Sequence, residues 1–146
     1  MSVGNITGEG LMAIESEMAR QHEDSLASLE GAAEVAGRIA DALRSRRRAV
    51  LLGMGGSHAV NRMVEVEYRA QGIQAVAVSL SEQLYSPLDL SDAAVLVTSQ
   101  SGESAEVHRM LADLSGHGAS FGITLEPASA LARAMPSLVG AGGSER

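Results

Sequence analysis

The sequence predicts an α/β fold in which a five-stranded parallel sheet is preceded by N-terminal helices. Two observations support this prediction. After about residue 48, short apolar runs typical of buried strands alternate with segments of helical periodicity. Strands separated by helices form βαβ units, whose strands run parallel and whose crossovers are right-handed. The chain has 146 residues, of which 45% are apolar, so it is long enough for one domain with a packed core.

The elements are predicted in chain order as follows. Apolar residues recur at three- and four-residue steps from Gly10 to about Arg48, with Gly31 as a weak point between two helices. This pattern divides the chain into a helical segment, residues 1–48, and a sheet domain, residues 49–146. The predicted strands of that domain are residues 49–52, 74–80, 93–98, 121–125 and 137–139. The predicted helices are residues 59–71, 103–115 and 127–134.

The composition excludes several classes of function. Eighteen acidic residues against eleven arginines give a net charge of −7, which disfavours binding to nucleic acid because that binding depends on phosphate neutralisation. The chain has no lysine, so it contains neither a Schiff-base lysine nor a Walker-type phosphate lysine. It has no cysteine, which excludes disulfides, thiolate nucleophiles and cysteine zinc sites.

The sequence also gives expectations about location, metals and cofactors. No apolar run approaches the ~20 residues of a membrane helix, and residues 1–10 lack the basic start and apolar stretch of a secretory signal. We therefore expect a cytoplasmic protein with no membrane partner. The four histidines show neither H-x-x-x-H nor H-E-x-x-H spacing, so no metal site is expected. We expect no cofactor.

The first predicted strand runs into a segment that we call the glycine loop, Gly53-Met54-Gly55-Gly56-Ser57-His58. Its glycines allow a ligand to approach the backbone closely, and Ser57 supplies a hydroxyl beside a helix N-terminus. The loop is not a dinucleotide fingerprint. The third glycine of that motif would fall at His58, and no acidic residue closes the second strand. A nicotinamide site is therefore rejected.

The third predicted strand ends in a segment that we call the serine loop, Thr98-Ser99-Gln100-Ser101-Gly102-Glu103-Ser104. Hydroxyls before a helix favour an anion site, because free backbone N–H groups and the helix dipole attract negative charge there. The alternative interpretation is N-capping, in which Ser101 alone accepts from the first helical turn. Capping accounts for one serine but not for Ser99, Gln100 and Ser104 as well, so the loop favours a phosphate site.

The two loops resemble those of the sugar isomerase (SIS) domain family, in the order strand–GMGGSH–helix and strand–TSQSGES–helix. The resemblance extends over residues 28–146. It is most specific toward the N-terminal half of two-SIS phosphosugar isomerases and deaminases, which are related to the isomerase part of glucosamine-6-phosphate synthase. It implies a flavodoxin-like, three-layer αβα sandwich that binds a sugar phosphate at its strand ends. The residues that it implies for the phosphate are Gly55, Gly56, Ser57, Ser99, Gln100, Ser101 and Ser104.

The resemblance implies an aldose–ketose isomerase or an aminosugar-phosphate deaminase or deglycase. The alternative is a non-catalytic module that senses a sugar phosphate and regulates a partner. The end of the sequence, Ala141 to Arg146, resembles a family segment that normally leads into a Val-Ala-x-Thr-Lys stretch, which is missing here. We therefore expect an incomplete catalytic set in this chain alone.

Isomerisation needs a base near the carbonyl, and three residues are candidates. Glu82 follows the second strand, on the ligand side of the sheet. His58 follows the glycine loop, where it either reaches the sugar or caps a turn. Glu67 matches an acid/base residue of single-SIS sedoheptulose-7-phosphate isomerases, whose metal-binding histidine matches Met63 here. Glu67 lies ten residues beyond Ser57, ~15 Å along the helix, so it would act across a dimer interface or else be a solvent-facing or ion-paired glutamate.

The N-terminal helical segment predicts association with a second copy. Leu11, Ile14 and Met18 recur at helical spacing, and we expect them to form exposed apolar area that a partner covers. The expected assembly is a homodimer, because SIS domains pair and build their pockets at the pairing surface.

Overall fold

The structure, a computed structural model, describes residues 8–143 and consists of six helices and a five-stranded sheet over that range. The first residues of the sequence and the end of its glycine-rich tail lie outside the described residues. The helices are α1 (Gly8–Gly31), α2 (Ala33–Arg46), α3 (Gly56–Ala70), α4 (Leu80–Tyr85), α5 (Ala105–Asp113) and α6 (Ala130–Ala134). The strands are β1 (Arg48–Gly53), β2 (Gln74–Ser79), β3 (Ala94–Thr98), β4 (Ser120–Thr124) and β5 (Ser137–Val139).

All strands run parallel, in the order β2-β1-β3-β4-β5. The chain leaves β1 for β2 on one side and returns to β3 on the other, so β1 and β3 flank the topological switch point. Ligands of open α/β sheets bind beyond the carboxyl ends of the strands at that point. The predicted α/β class, the five parallel strands and the preceding helices are confirmed.

Helices cover both faces of the sheet, because alternate residues of a strand point to opposite faces. On one face Val50 and Val95 pack in a buried cluster that receives side chains from α4, α5 and α6. On the other face Leu51 and Leu96 pack in a second cluster that includes Ile39 of α2 and is joined by a residue of α3. The arrangement is the three-layer αβα sandwich that the resemblance implied.

The N-terminal helices differ in how they pack. Ile39 of α2 is 6% exposed and lies in the sheet core, so α2 forms part of the sandwich. In α1 no residue is buried, and Leu11, Ile14 and Met18 are 51%, 51% and 63% exposed. No helix in residues 8–143 combines the length and apolar character needed to cross a membrane. The division of the chain at residue 48 stays a prediction.

Several element boundaries differ from the predicted ones, and serine N-caps explain those of α4, α5 and α6. Leu80, predicted as the end of the second strand, begins the unpredicted helix α4, because Ser79 and Glu82 form a capping box. Helix α5 begins at residue 105 instead of 103 because Ser104 is its N-cap. Helix α6 begins at residue 130 instead of 127 because Ser129 caps it. Helix α3 begins three residues earlier than predicted, at the glycine loop itself.

Candidate functional site

A pocket of about 650 Å³ lies beyond the carboxyl ends of β1 and β3 and extends to those of β4 and β5. Its polar wall consists of Gly56, Ser57, Thr98, Ser99, Gln100, Ser101, Ser104 and Thr124. Its other wall consists of Met54, Val60, Leu80, Ile123, Leu125 and Gly140. Six of the seven predicted phosphate residues line the pocket, and Gly55 does not. These apolar lining residues were not predicted, although the adjacency of β4 to β3, which brings Ile123 and Leu125 to the pocket, follows from a flavodoxin-like strand order.

Three serines of the serine loop present free hydroxyl protons. The Oγ of Ser99 accepts from Gly102 N–H at 3.0 Å, that of Ser101 from Glu103 N–H at 3.3 Å, and that of Ser104 from Val107 N–H at 3.3 Å. Because each oxygen is used as an acceptor of a backbone N–H, each hydroxyl keeps its own proton for another partner. All three residues line the pocket, so their remaining hydroxyl protons are available to a molecule bound there.

These bonds also correct the N-capping argument drawn from the sequence. The N-cap of α5 is Ser104, and Ser101 instead accepts within the loop. Ser99 likewise has a local acceptor role. Capping therefore accounts for one serine, as expected, but Ser104 and not Ser101 is the cap, and loop bonds account for Ser99 and Ser101. The functional argument depends instead on the three free hydroxyl protons and the pocket in front of them.

The serine loop is fixed to the neighbouring part of the sheet. The backbone carbonyl of Gln100 accepts from Leu125 N–H at 3.1 Å and from the Thr124 hydroxyl at 3.0 Å. Glu103 accepts from Ala130 N–H at 2.6 Å. This bond, followed by those with His108 and by the charge of Arg133, holds the pKa of Glu103 below its ordinary value of 4.5. These bonds fix the serine loop to the end of β4 and to the start of α6.

The glycine loop is built with fewer bonds. Gly55 is the N-cap of α3 with φ of 53° and ψ of −121°, a conformation that favours glycine, and no side chain caps this helix. Ser57 lines the pocket, and its hydroxyl makes none of the side-chain hydrogen bonds found within residues 8–143. The loop therefore brings a helix N-terminus and an unengaged hydroxyl to the pocket.

None of the pocket-lining residues has a charged side chain. The described part of the pocket therefore offers hydroxyls, backbone amides and the positive ends of two helices, but no fixed cation. Such a set is suited to an anion that is recognised by many hydrogen bonds, as a phosphate group is.

The predicted catalytic candidates lie outside this lining. Glu82 is exposed on α4, where its Oε2 accepts from the Ser79 hydroxyl at 3.0 Å and from Ser79 N–H at 3.2 Å. These bonds, with a smaller contribution from the charge of His58, hold the pKa of Glu82 below its ordinary value of 4.5. His58 is half-buried, and its Nδ1 is buried without a partner within the described residues. Neither residue lines the pocket, although His58 directly follows the lining residue Ser57 and Glu82 lies two residues beyond the lining residue Leu80.

Glu67 lies on the exposed face of α3, away from the pocket lining. The buried carboxylate of this helix is instead Glu65, which is 2% exposed and accepts from Ala77 N–H of the edge strand β2 at 2.6 Å. Burial raises the pKa of Glu65, but that bond and the charges of Arg62 and Arg69 outweigh it and leave the pKa lowered. Only Glu67 of this helix was predicted from the sequence as a functional candidate, and Glu65, whose carboxylate bonds to the edge strand β2, was missed.

Within residues 8–143 no group of three or more His, Asp and Glu side chains is arranged to hold a metal ion. Met63, at the position of the family's metal-binding histidine, is 73% exposed on α3.

No family model matches this sequence, and no curated protein matches it either. Solved structures do match. The c3406 protein of E. coli CFT073, solved with a bound ligand, is 24% identical with a TM-score of 0.71, over 95% of this chain and 77% of that chain. The C-terminal domain of glucosamine-fructose-6-phosphate aminotransferase from Francisella tularensis is 19% identical with a TM-score of 0.73, over 95% of this chain and 41% of that chain.

A third match is the tagatose-6-phosphate ketose/aldose isomerase of E. coli, which is 18% identical with a TM-score of 0.71, over 88% of this chain and 40% of that chain. The chain has the fold of the sugar isomerase domain. At these identities the likeness concerns the fold alone. This likeness confirms the SIS-domain fold that the two loops predicted. The roles of individual residues are argued from the geometry of the site.

Proposed function

We propose that this chain binds a sugar phosphate in the pocket beyond β1 and β3. The observation that carries the proposal is the convergence of free donors. Three serine-loop hydroxyls with uncommitted protons and the unengaged hydroxyl of Ser57 face one cavity, at the N-termini of α3 and α5. A phosphate presents several acceptor oxygens and a negative charge, which this set of donors and helix dipoles would stabilise.

In this proposal the phosphate is held by side chains of Ser57, Ser99, Gln100, Ser101 and Ser104. The backbone amide of Gly56 completes the cage, and Gly55, which does not line the pocket, contributes as the N-cap of α3. Support for the sugar comes from the pocket volume of about 650 Å³, which exceeds the space that a phosphate alone needs, and from similar structures named as phosphosugar enzymes.

The reaction that we propose is of the isomerase type: an aldose–ketose isomerisation, or deamination or deglycation of an aminosugar phosphate. Such chemistry moves a proton between adjacent carbons and therefore needs a base near the carbonyl. Glu82 and His58, which lie beside the pocket, are the first candidates. Glu67 remains a candidate for a neighbouring copy's pocket, because its side chain is exposed on α3.

A specific observation favours the second candidate function, a non-catalytic sensor. The lining residues contain no ionisable side chain, and the lowered pKa of Glu82 makes it a weaker base than a glutamate that titrates near neutral pH. We therefore expect this chain alone to bind sugar phosphates and to convert them slowly or not at all.

Two measurements on the full chain separate these functions. Calorimetric titration with fructose 6-phosphate and glucosamine 6-phosphate tests binding, with fructose and glucosamine as controls that lack the phosphate. Deuterium uptake from heavy water at the carbon beside the carbonyl tests proton transfer.

Binding without exchange supports the sensor. Exchange that is lost in Glu82→Gln supports the isomerase, whereas rapid exchange that survives Glu82→Gln together with Glu67→Gln would place the base elsewhere. Absence of binding would refute both functions.

We also propose that the protein is a homodimer. The supporting observation is the apolar area on α1, where Leu11, Ile14 and Met18 are each at least half exposed. Sedimentation equilibrium should give the mass of two chains, and Ile14→Glu with Met18→Glu should shift it to one. A clean monomer at high concentration would contradict the proposal and would remove the role of Glu67 across an interface. A cytoplasmic location stays a prediction from the sequence.

A further inference from the structure

The glycine loop and the serine loop are joined by a buried hydrogen bond. Asn61 lies in α3 shortly after the glycine loop and is 3% exposed. Its Oδ1 accepts from the hydroxyl of Thr98 at 2.9 Å. Thr98 is the last residue of β3 and immediately precedes Ser99. The bond therefore connects the helix that follows one loop to the strand that precedes the other.

The other hydrogen bonds of the glycine loop stay close to it in sequence. Ser57 N–H donates to the Met54 carbonyl at 3.0 Å, and Ala59 N–H donates to the Gly55 carbonyl at 3.0 Å. Apart from the strand pairing that sets Gly53 beside Thr98, the Asn61–Thr98 bond is the polar connection between the two loops within residues 8–143. The relative position of the two loops is thus set by strand pairing, apolar packing and this bond.

The buried amide of Asn61 lowers the stability of the folded state through one of its two polar atoms. Its Nδ2 is buried and has no acceptor within the described residues. A buried donor without a partner destabilises the folded state, and an apolar residue would avoid that loss. The local gain from keeping an amide here is the bond that its oxygen makes to Thr98.

We propose that Asn61 and Thr98 are positioning residues for the phosphate site. They hold the N-terminus of α3, with Ser57, in register with the hydroxyls of Ser99 and Ser101. A cage built from two loops binds an anion tightly only when its donors already stand at the right separation, because ordering them on binding costs free energy. The inference rests on the proposed binding of a sugar phosphate, and it adds Asn61, which does not line the pocket, and Thr98, which lines it but gives its hydroxyl proton to Asn61.

The test uses the full chain and two probes, inorganic phosphate and fructose 6-phosphate. Thr98→Val removes the hydroxyl at almost unchanged volume, and Thr98→Ser keeps it. We expect Thr98→Val to raise the Kd of both probes by about five- to tenfold, the range of one lost hydrogen bond, and Thr98→Ser to bind within about twofold of the wild type. Asn61→Ala should weaken binding to a similar extent. The variant that combines Asn61→Ala with Thr98→Val should bind no more weakly than the poorer binder of the two single variants, because both changes remove the same bond.

The outcomes separate this inference from the proposed function. If the wild type binds neither probe, the proposed function and the inference both fail. If the wild type binds and Thr98→Val binds equally well, the inference alone fails, even where the melting temperature has fallen, since that result indicates a purely structural bond. Additive losses in the double variant would also overturn it. If Asn61→Ala does not fold, the contrast between Thr98→Val and Thr98→Ser decides the matter.

Discussion

The glycine loop and the serine loop both lead from a strand into a helix at the same edge of the sheet, yet they are built in opposite ways. In the serine loop, the hydroxyls of Ser99, Ser101 and Ser104 bond to nearby backbone amides, and Glu103 bonds to the start of α6. In the glycine loop, no side chain caps α3, and Ser57 has no hydrogen-bond partner among the described residues.

The difference suggests how two loops can share one ligand. The serine loop is preformed, so its donors need little ordering when an anion arrives. In the glycine loop the Ser57 hydroxyl is unengaged, and the proposed role of Asn61 is to fix the position of that loop through its bond with Thr98. Removing hydroxyls of the serine loop should therefore change both ligand affinity and the free energy of unfolding, whereas removing the Ser57 hydroxyl of the glycine loop should change mainly affinity.

The largest effect is expected from Ser99→Ala combined with Ser101→Ala. A hydrogen bond to a charged group contributes about 1.5–3 kcal/mol, so the loss of two should weaken sugar-phosphate binding by about a hundredfold or more. Thermal protection by fructose 6-phosphate should then disappear, because ligands stabilise by mass action. The unliganded protein should also be less stable, since Gly102 N–H and Glu103 N–H lose their acceptors.

Ser57→Ala is the matched control from the glycine loop. It removes one donor, so binding should weaken by roughly tenfold. The melting temperature without ligand should stay within about a degree, because the hydroxyl makes no bond within the described residues. Unchanged protection in the double serine variant would refute the phosphate assignment, and equal losses of unliganded stability in both loops would refute the contrast between them.

A smaller effect, on folding alone, is expected from placing alanine at one glycine in each loop. Gly102 has φ of 64°, and a Cβ there would lie 2.4 Å from the Ser129 hydroxyl, so Gly102→Ala should lower the free energy of unfolding by about 2–5 kcal/mol. Gly55 has φ of 53° and ψ of −121° with nothing within 4 Å of a Cβ, so Gly55→Ala should cost about 1–3 kcal/mol of backbone strain. Urea unfolding measures both values. A larger loss at Gly55 than at Gly102 would contradict the view that the serine loop is the more tightly packed.

Much of this architecture was predictable from the sequence, because apolar periodicity fixes which segments are strands and helices. The helix α4 was missed although its signal was present: Ser79 and Glu82 have the spacing of a capping box. Glu82 was predicted as a candidate base beside the ligand, whereas in the structure its carboxylate caps α4 through Ser79. A charged residue beside a predicted ligand site has to be tested for capping first.

Two features of the site were beyond the sequence for a physical reason. The pairing of Asn61 with Thr98 joins residues 37 positions apart, and only the three-dimensional packing of α3 on β3 brings them together. The burial of Glu65 depends in the same way on its reach to an amide of the edge strand β2. Periodicity reports which face of an element is apolar, but it does not report which polar side chains meet across elements.

The smallest effect is expected from the link between the serine loop and α6. Because its bond from Ala130 and its pairing with His108 lower the pKa of Glu103 below 4.5, the folded state binds fewer protons than the unfolded state near that pH. The stabilisation that Glu103 contributes is therefore complete above its pKa in the unfolded state. It is lost as the pH falls through its lower pKa in the folded state. Glu103→Gln keeps an acceptor oxygen but removes the charge. We expect urea unfolding to show the wild type as more stable than this variant at pH 7, and the difference to shrink steadily between pH 5 and pH 3. A difference that stays constant over that range would indicate that the charge of Glu103 does not hold the serine loop to α6, and that hydrogen bonding and packing alone do so.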